Sequence, residues 1–138
     1  MKKIVLAATT IILLTGFTKC PAGLTDSALY ENKWYLVNIF QPTGAEVVTG
    51  KTAFINFIRE NKSAGGNGGC NVFGSTFSVT GNKIRISEII STEMYCEGIQ
   101  PTENAFLRQL EKANRYEIKD KILLLYRDKE LLLEFVKA

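Results

Sequence analysis

From residue 33 onward the chain alternates apolar and polar positions over short runs, the pattern of strands with a buried face. Lys33 to Phe40 (KWYLVNIF) is rich in aromatic and β-branched residues and predicts a first strand. Gln41 to Lys51, with Pro42-Thr43-Gly44 and Gly50, predicts a loop. Thr52 to Arg59 sets Ile55 and Phe57 on one face and Phe54, Asn56 and Ile58 on the other, a second strand covered on both sides. Ser75 to Thr80 and Lys83 to Ile89 flank Gly81-Asn82, a two-residue turn that predicts a hairpin. In its second arm Ile84, Ile86 and Glu88 are expected to share a face. Arg115 to Ile118, Ile122 to Arg127 and Glu130 to Val136 predict an antiparallel meander broken at Lys119-Asp120-Lys121 and Asp128-Lys129.

The period changes once. Phe106, Leu110 and Ala113 fall at i, i+4 and i+7 within Pro101 to Arg115, with Leu107 widening the stripe, so this segment predicts an amphipathic helix. Pro101 suits its first position. Glu103, Arg108, Glu111 and Lys112 are placed on its wet side. Glu93 and Glu97 are assigned to solvated loop. Many short strands and one helix predict an α+β, mainly β domain: a small, strongly curved antiparallel sheet or barrel with the helix packed across it.

Before residue 33 the pattern differs. Lys2 and Lys3 precede an uncharged, mostly apolar run from Ile4 to Thr18, too short for a comfortable membrane span and suited to a secretory signal. Cys20 then sits where a bacterial lipoprotein signal ends. The segment resembles the lipobox, in which this cysteine would carry the lipid. Lys19 stands where a small residue is usual, and cleavage after Ala22, which removes Cys20, is the competing outcome. The chain thus divides into a signal over residues 1–20, a short polar linker over 21–32 and one domain over 33–138. Its 138 residues suffice for a single domain. The expected address is outside the cytoplasm, in a bacterial cell envelope, lipid-anchored or periplasmic. Asn61-Lys62-Ser63 matches a glycosylation sequon but is assigned to loop in a bacterial chain.

Charge and composition narrow the function. Lys2, Lys3 and Lys19 account for the formal net charge of +3, because the other basic residues equal the 14 acidic ones. The domain is therefore neutral overall and offers no basic stripe for nucleic acid. The chain has no histidine, which removes the usual general base and the commonest metal ligand. Gly65 to Gly74 (GGNGGCNVFG) tests the remaining chemistry. A phosphate loop needs Lys then Ser or Thr after its last glycine, and Cys70-Asn71-Val72 follows instead. A dinucleotide fingerprint needs a parallel βαβ unit, and the segment leads into a hairpin. Zinc takes four ligands, or three plus water, and beyond Cys20 the chain offers only Cys70 and Cys96 and no histidine. The stretch is expected to be a structural corner, with no cofactor and no metal. Cys70 and Cys96 are expected to pair, closing a loop worth roughly 3–4 kcal/mol in the chain-entropy account. Cys20 is then left over for lipid, or as a free thiol.

At this point the pattern resembles the META domain, or HslJ family. The resemblance runs from Trp34 to about Phe135. It begins with Trp34-Tyr35-Leu36, centres on Gly69-Cys70-Asn71, and continues through Phe73, the Gly81-Asn82 hairpin and Ser91-Thr92-Glu93-Met94-Tyr95-Cys96. Glu103, Phe106 and Leu110 on the helix and the closing strands complete it. The resemblance implies a compact curved β domain with a helix across it, in secreted or lipid-anchored bacterial proteins tied to stress responses, secretion or virulence. It implies no catalytic reaction. Asn71, Thr92 and Met94 match motif positions, and structural roles account for them: Asn71 turning backbone, Thr92 bonding a neighbouring strand, Met94 filling core.

The expected function is that of a non-enzymatic, stress-related accessory or interaction module, held at the membrane by a lipid on Cys20 and acting on an envelope protein. The alternative is a carrier of a small apolar or lipid ligand, with Phe54, Phe57, Phe73, Phe77, Ile84 and Ile86 lining the cavity. A hydrolase is the weakest reading for want of histidine.

Overall fold

A computed structural model describes residues 24–50 and 52–138 of the chain. The predicted signal segment and Cys20 lie outside these residues. Eleven elements follow in order: α1 (Leu24–Tyr30), β1 (Lys33–Gln41), β2 (Gly44–Val47), β3 (Phe54–Ile58), β4 (Ser63–Asn67), β5 (Val72–Thr80), β6 (Lys83–Ser91), α2 (Gln100–Lys112), β7 (Arg115–Lys119), β8 (Ile122–Arg127) and β9 (Glu130–Lys137). The nine strands form one antiparallel sheet in the order β2-β1-β3-β4-β5-β6-β7-β8-β9. It curls until β9 also pairs with β1, Tyr35 opposite Val136 and Leu36 opposite Phe135. The predicted mainly β, strongly curved sheet crossed by one long helix is the architecture found.

Three bulges, each of which bends its strand locally, interrupt the apolar alternation. Val37 is the extra residue where β1 meets β9, so the buried positions run Trp34, Leu36, then Ile39. Leu132 is extra where β9 meets β8, which lets the consecutive Leu132 and Leu133 both be buried. In β6 the register slips opposite Gly74 and Thr76, and Glu88 takes φ +55°. The expectation that Glu88 shares a face with Ile84 and Ile86 is corrected there. The bulge turns Glu88 to solvent and packs Ile89 against the core in its place.

Two other expectations change. The supposed linker contains α1, whose Leu29 is fully buried and whose Leu29 carbonyl accepts the Trp34 indole N–H at 3.0 Å. The short element has too few residues for a visible helical period. The supposed loop after β1 contains β2, which pairs back through Gln41 opposite Gly44.

β6 and β7 pair only at Lys83 opposite Arg115; the chain leaves β6 at Ser91, its other end, and α2 brings it back to Arg115. The helix covers this seam and packs on β6, β9 and β1. Phe106 is its central wedge, with ring centroids 5.7 Å from Phe73 and 5.9 Å from Phe135. Pro101 stands in its first turn, where a missing N–H costs nothing.

Candidate functional site: a polar hub at the glycine corner

The stretch GGNGGCNVFG divides between strand and turn. Gly65 and Gly66 lie in β4, and only Gly68 to Asn71 form the corner into β5. Gly66 is required by close approach, since a Cβ there would fall 2.0 Å from the Phe54 carbonyl oxygen. The corner itself is closed by the Gly68 N–H donating to the Asn71 carbonyl at 2.7 Å and the Gly69 N–H to Asn67 Oδ1 at 2.7 Å. Gly69 takes φ +125°, a conformation that a side chain resists.

This corner presents its amides to one carboxylate. The Cys70 N–H donates to Glu103 Oε2 at 3.0 Å and the Asn71 N–H to the same oxygen at 2.6 Å. Asn71 Nδ2 donates to Glu103 Oε1 at 2.6 Å, and Gln100 Nε2 reaches that oxygen at 3.3 Å. Glu103 is 1% exposed and Asn71 2% exposed. Burial by itself would raise the Glu103 carboxyl. The Asn71 side chain, the Asn71 and Cys70 amides and Gln100 outweigh burial and hold it below its ordinary value. The first turn of α2, where amides point outward, adds a favourable field for the anion.

Asn71 carries the network onward. Its Oδ1 accepts the Thr92 hydroxyl at 2.8 Å and the Met94 N–H at 2.8 Å, while Nδ2 also donates to the Met94 carbonyl at 2.9 Å. Two donations and two acceptances use the full capacity of an Asn side chain. Cys70 and Cys96 stand at disulfide distance, with Cα atoms 5.9 Å apart, as the sequence predicts. The irregular segment between β6 and α2 is therefore pinned at Thr92, Met94 and Cys96.

The structure thus brings together Gly69, Cys70, Asn71, Thr92, Met94 and Cys96. Trp34 stays apart, buried under α1. Glu103 is the residue the sequence pattern misplaces: it is buried, not on the wet side of the helix. A signal exists, because Glu103 begins the stripe that continues through Phe106, Leu110 and Ala113. Met94 is likewise corrected. Its backbone serves the hub, and its side chain is 60% exposed rather than filling core. The Thr92 hydroxyl bonds the Asn71 side chain, and its N–H makes the expected strand bond to the Val72 carbonyl at 3.1 Å.

The interior aromatics form a separate group. Phe57, Phe73, Phe77, Ile84 and Ile86 are all buried in the core, with Phe57 and Phe77 edge to face at 5.2 Å. Phe54 does not line the interior. It lies on the other face of β3, half-buried, with Lys33 Nζ 3.6 Å from its ring centroid.

Known proteins share both the sequence pattern and the curled sheet. The family description "META domain" matches residues 27–138. The chain belongs to the META domain family. Solved structures extend the likeness at the level of fold. A protein from Burkholderia xenovorans, determined by NMR, is 19% identical, with TM-score 0.69 over 97% of this chain and 99% of that one. A second NMR structure is 17% identical, with TM-score 0.61 over 81% of this chain and 94% of its own. The crystal structure of a duf4847 family protein from Bacteroides vulgatus is 15% identical, with TM-score 0.56 over 80% and 95%. No curated protein matches the chain. The META domain match begins inside α1, so the helix that the sequence pattern assigned to a linker falls partly within the family's span. Among the described residues of this META domain, no group of three or more His, Cys, Asp or Glu side chains is placed to hold a metal.

Proposed function

We propose that this META domain protein is exported, anchored to a bacterial envelope membrane by a lipid on Cys20, and acts as a non-enzymatic, stress-related accessory that engages a partner protein. The observation that carries the reading is how the hub spends its polar groups. The side chain of Asn71 is fully used, and the Glu103 carboxylate accepts four hydrogen bonds from its own fold. A catalytic acid or base needs a partner left for substrate. These groups instead fix the shape of a surface segment. The address rests on the sequence: Lys2 and Lys3, the apolar run to Thr18, and Cys20.

The test is a Cys20→Ala variant followed through cell fractionation. The parent is expected in the membrane fraction and the variant in the soluble exported fraction, with equal melting temperatures. Membrane retention of the variant overturns the anchor. A single residue labelled by activity-based hydrolase probes overturns the non-enzymatic part. Native mass spectrometry addresses the carrier reading, for which an acyl-sized adduct lost on denaturation is the required sign.

A further inference from the structure

The segment that the hub pins carries large apolar side chains into solvent. Met94 is 60% exposed and Tyr95 79%. Both lie between the Asn71 bonds to the Met94 backbone and the anchor at Cys96. A buried carboxylate, a saturated Asn and a cysteine pair thus all serve to hold one short stretch still while its Met and Tyr face outward. With its backbone held beforehand, the segment loses less freedom on binding. Met and Tyr are also among the types enriched at protein interfaces.

The adjoining sheet face continues the patch. Val72 follows Asn71 directly and is 56% exposed, and Ile90, opposite Gly74, is 76% exposed. Gly74 leaves a notch between them, because a Cβ there would meet no atom within 4 Å. The notch opens into a shallow groove along Gly74, Thr76, Glu88 and Ile90. Along the chain between Arg85 and Arg108 the charge has one sign. Glu88, Glu93 and Glu97 are exposed, and no Lys or Arg occurs between Arg85 and Arg108. The patch is also clear of the point where the chain enters the domain. Tyr30 of α1 packs on Phe77 beside Arg59, near the β3–β4 turn, whereas the corner adjoins the other end of β3, where Phe54 pairs with Asn67.

We infer that this face, Val72, Gly74, Ile90, Met94 and Tyr95 rimmed by Glu88, Glu93 and Glu97, docks a protein segment presenting an apolar side chain flanked by Lys or Arg. The apolar side chain fills the notch over Gly74 and its basic neighbours meet the glutamates. The inference gives the partner's chemistry for the interaction role proposed above, and rests on that role. Charge complementarity selects this occupant, since an anionic membrane surface is repelled by the same glutamates.

The test uses the full chain in mild detergent with synthetic peptides that hold one Phe or Leu between Lys residues, and matched peptides with Glu in place of Lys. The Lys-flanked peptides are expected to bind at least about tenfold more tightly, with affinity falling as salt rises. Gly74→Lys sets a Cβ in open space and adds a repelling charge at the notch. It is expected to abolish peptide binding while leaving the melting temperature unchanged. Tyr95→Ala is expected to weaken binding likewise. Equal binding of the two peptide sets, or full binding by a Gly74→Lys protein that is folded, overturns the inference. Self-association dispersed by Gly74→Lys, or binding to anionic vesicles, overturns the choice of occupant. Peptide binding is measured independently of cell location, so its failure leaves the Cys20 result standing, and the reverse holds.

Discussion

Asn71 and Glu103, 32 positions apart in the chain, meet through two hydrogen bonds of 2.6 Å, one from the backbone and one from the side chain of Asn71. This pair joins the glycine corner to the first turn of α2. Because Asn71 also holds the backbone of Met94 at both its N–H and its carbonyl, the pair sets the shape of the surface segment before the helix.

Replacing Glu103 by Gln is expected to cost roughly 2–4 kcal/mol, since charge-assisted bonds are lost and an amide N–H₂ faces existing donors. The folded-state value of this carboxyl lies below its ordinary 4.5. Its contribution is therefore complete above that pH and is lost as pH falls through the lowered folded value. The stability gap between parent and Glu103→Gln should be widest above 4.5 and should narrow in acid. Thermal unfolding followed by circular dichroism across that range measures it. A gap that stays constant would mean that the carboxylate's charge contributes nothing.

Asn71→Asp should show the opposite slope. It sets a carboxylate against Glu103 Oε1 where Nδ2 now donates, so the two can be accommodated only with a shared proton. A pair whose folded-state value is raised is most stable below its unfolded value and loses that stability as pH rises. The variant is expected to melt highest in acid and to be partly rescued by adding Glu103→Gln, whose N–H₂ can donate to the introduced carboxylate. Independent, additive effects of the two substitutions would break the proposed link.

Most of the fold was legible because its strands obey period two and its turns carry their own chemistry at Gly81-Asn82, Asp120 and Asp128, the last two at φ +55° and +56°. What escaped were places where a tertiary contact overrides local pattern. The bulge at Glu88 inverts an alternation that continues cleanly on paper. Leu29 is fully buried, and its helix packs on β3, which starts at Phe54, outside any local window around α1. Glu103 looked like a first-turn surface acid because its partners lie in the corner 32 and 33 positions away. The motif residues were identifiable, but the hub that gathers them was not, since its acid is a residue type assigned to water although its helix face is the buried one.

The cysteine pair is expected to contribute roughly 3–4 kcal/mol, mainly by shortening the unfolded chain. Cys70→Ser with Cys96→Ser should lower stability by that amount without releasing Met94, which Asn71 still holds. Hydrogen exchange separates the two effects. The Met94 amide, bonded to Asn71 Oδ1 at 2.8 Å, should stay protected from local opening in the Ser variant and lose that protection in Asn71→Ala. Loss of protection in the Ser variant would make the disulfide, and not Asn71, the element that shapes the segment.

The glycines of GGNGGCNVFG should separate into three grades when each is changed to Ala. At Gly66 the new methyl group would meet the Phe54 backbone, at 2.0 Å from the oxygen and 2.8 Å from the carbon, so β3 and β4 must part. The cost should be at least about 3 kcal/mol, at the upper end of overpacking effects. At Gly68 the methyl would meet Glu103 Oε2 at 2.6 Å. That oxygen is the far end of a side chain, but the corner amides fix it, so relief requires giving up hub bonds. A cost of roughly 1–3 kcal/mol is expected, with the acid dependence of the parent reduced. At Gly74 nothing lies within 4 Å, and loss of unfolded-state freedom should leave the protein unchanged or more stable by about 0.5 kcal/mol. Urea unfolding of the three variants gives the order directly. A Gly68→Ala protein as stable as the parent would mean that Glu103 can move freely, which the saturated hub forbids.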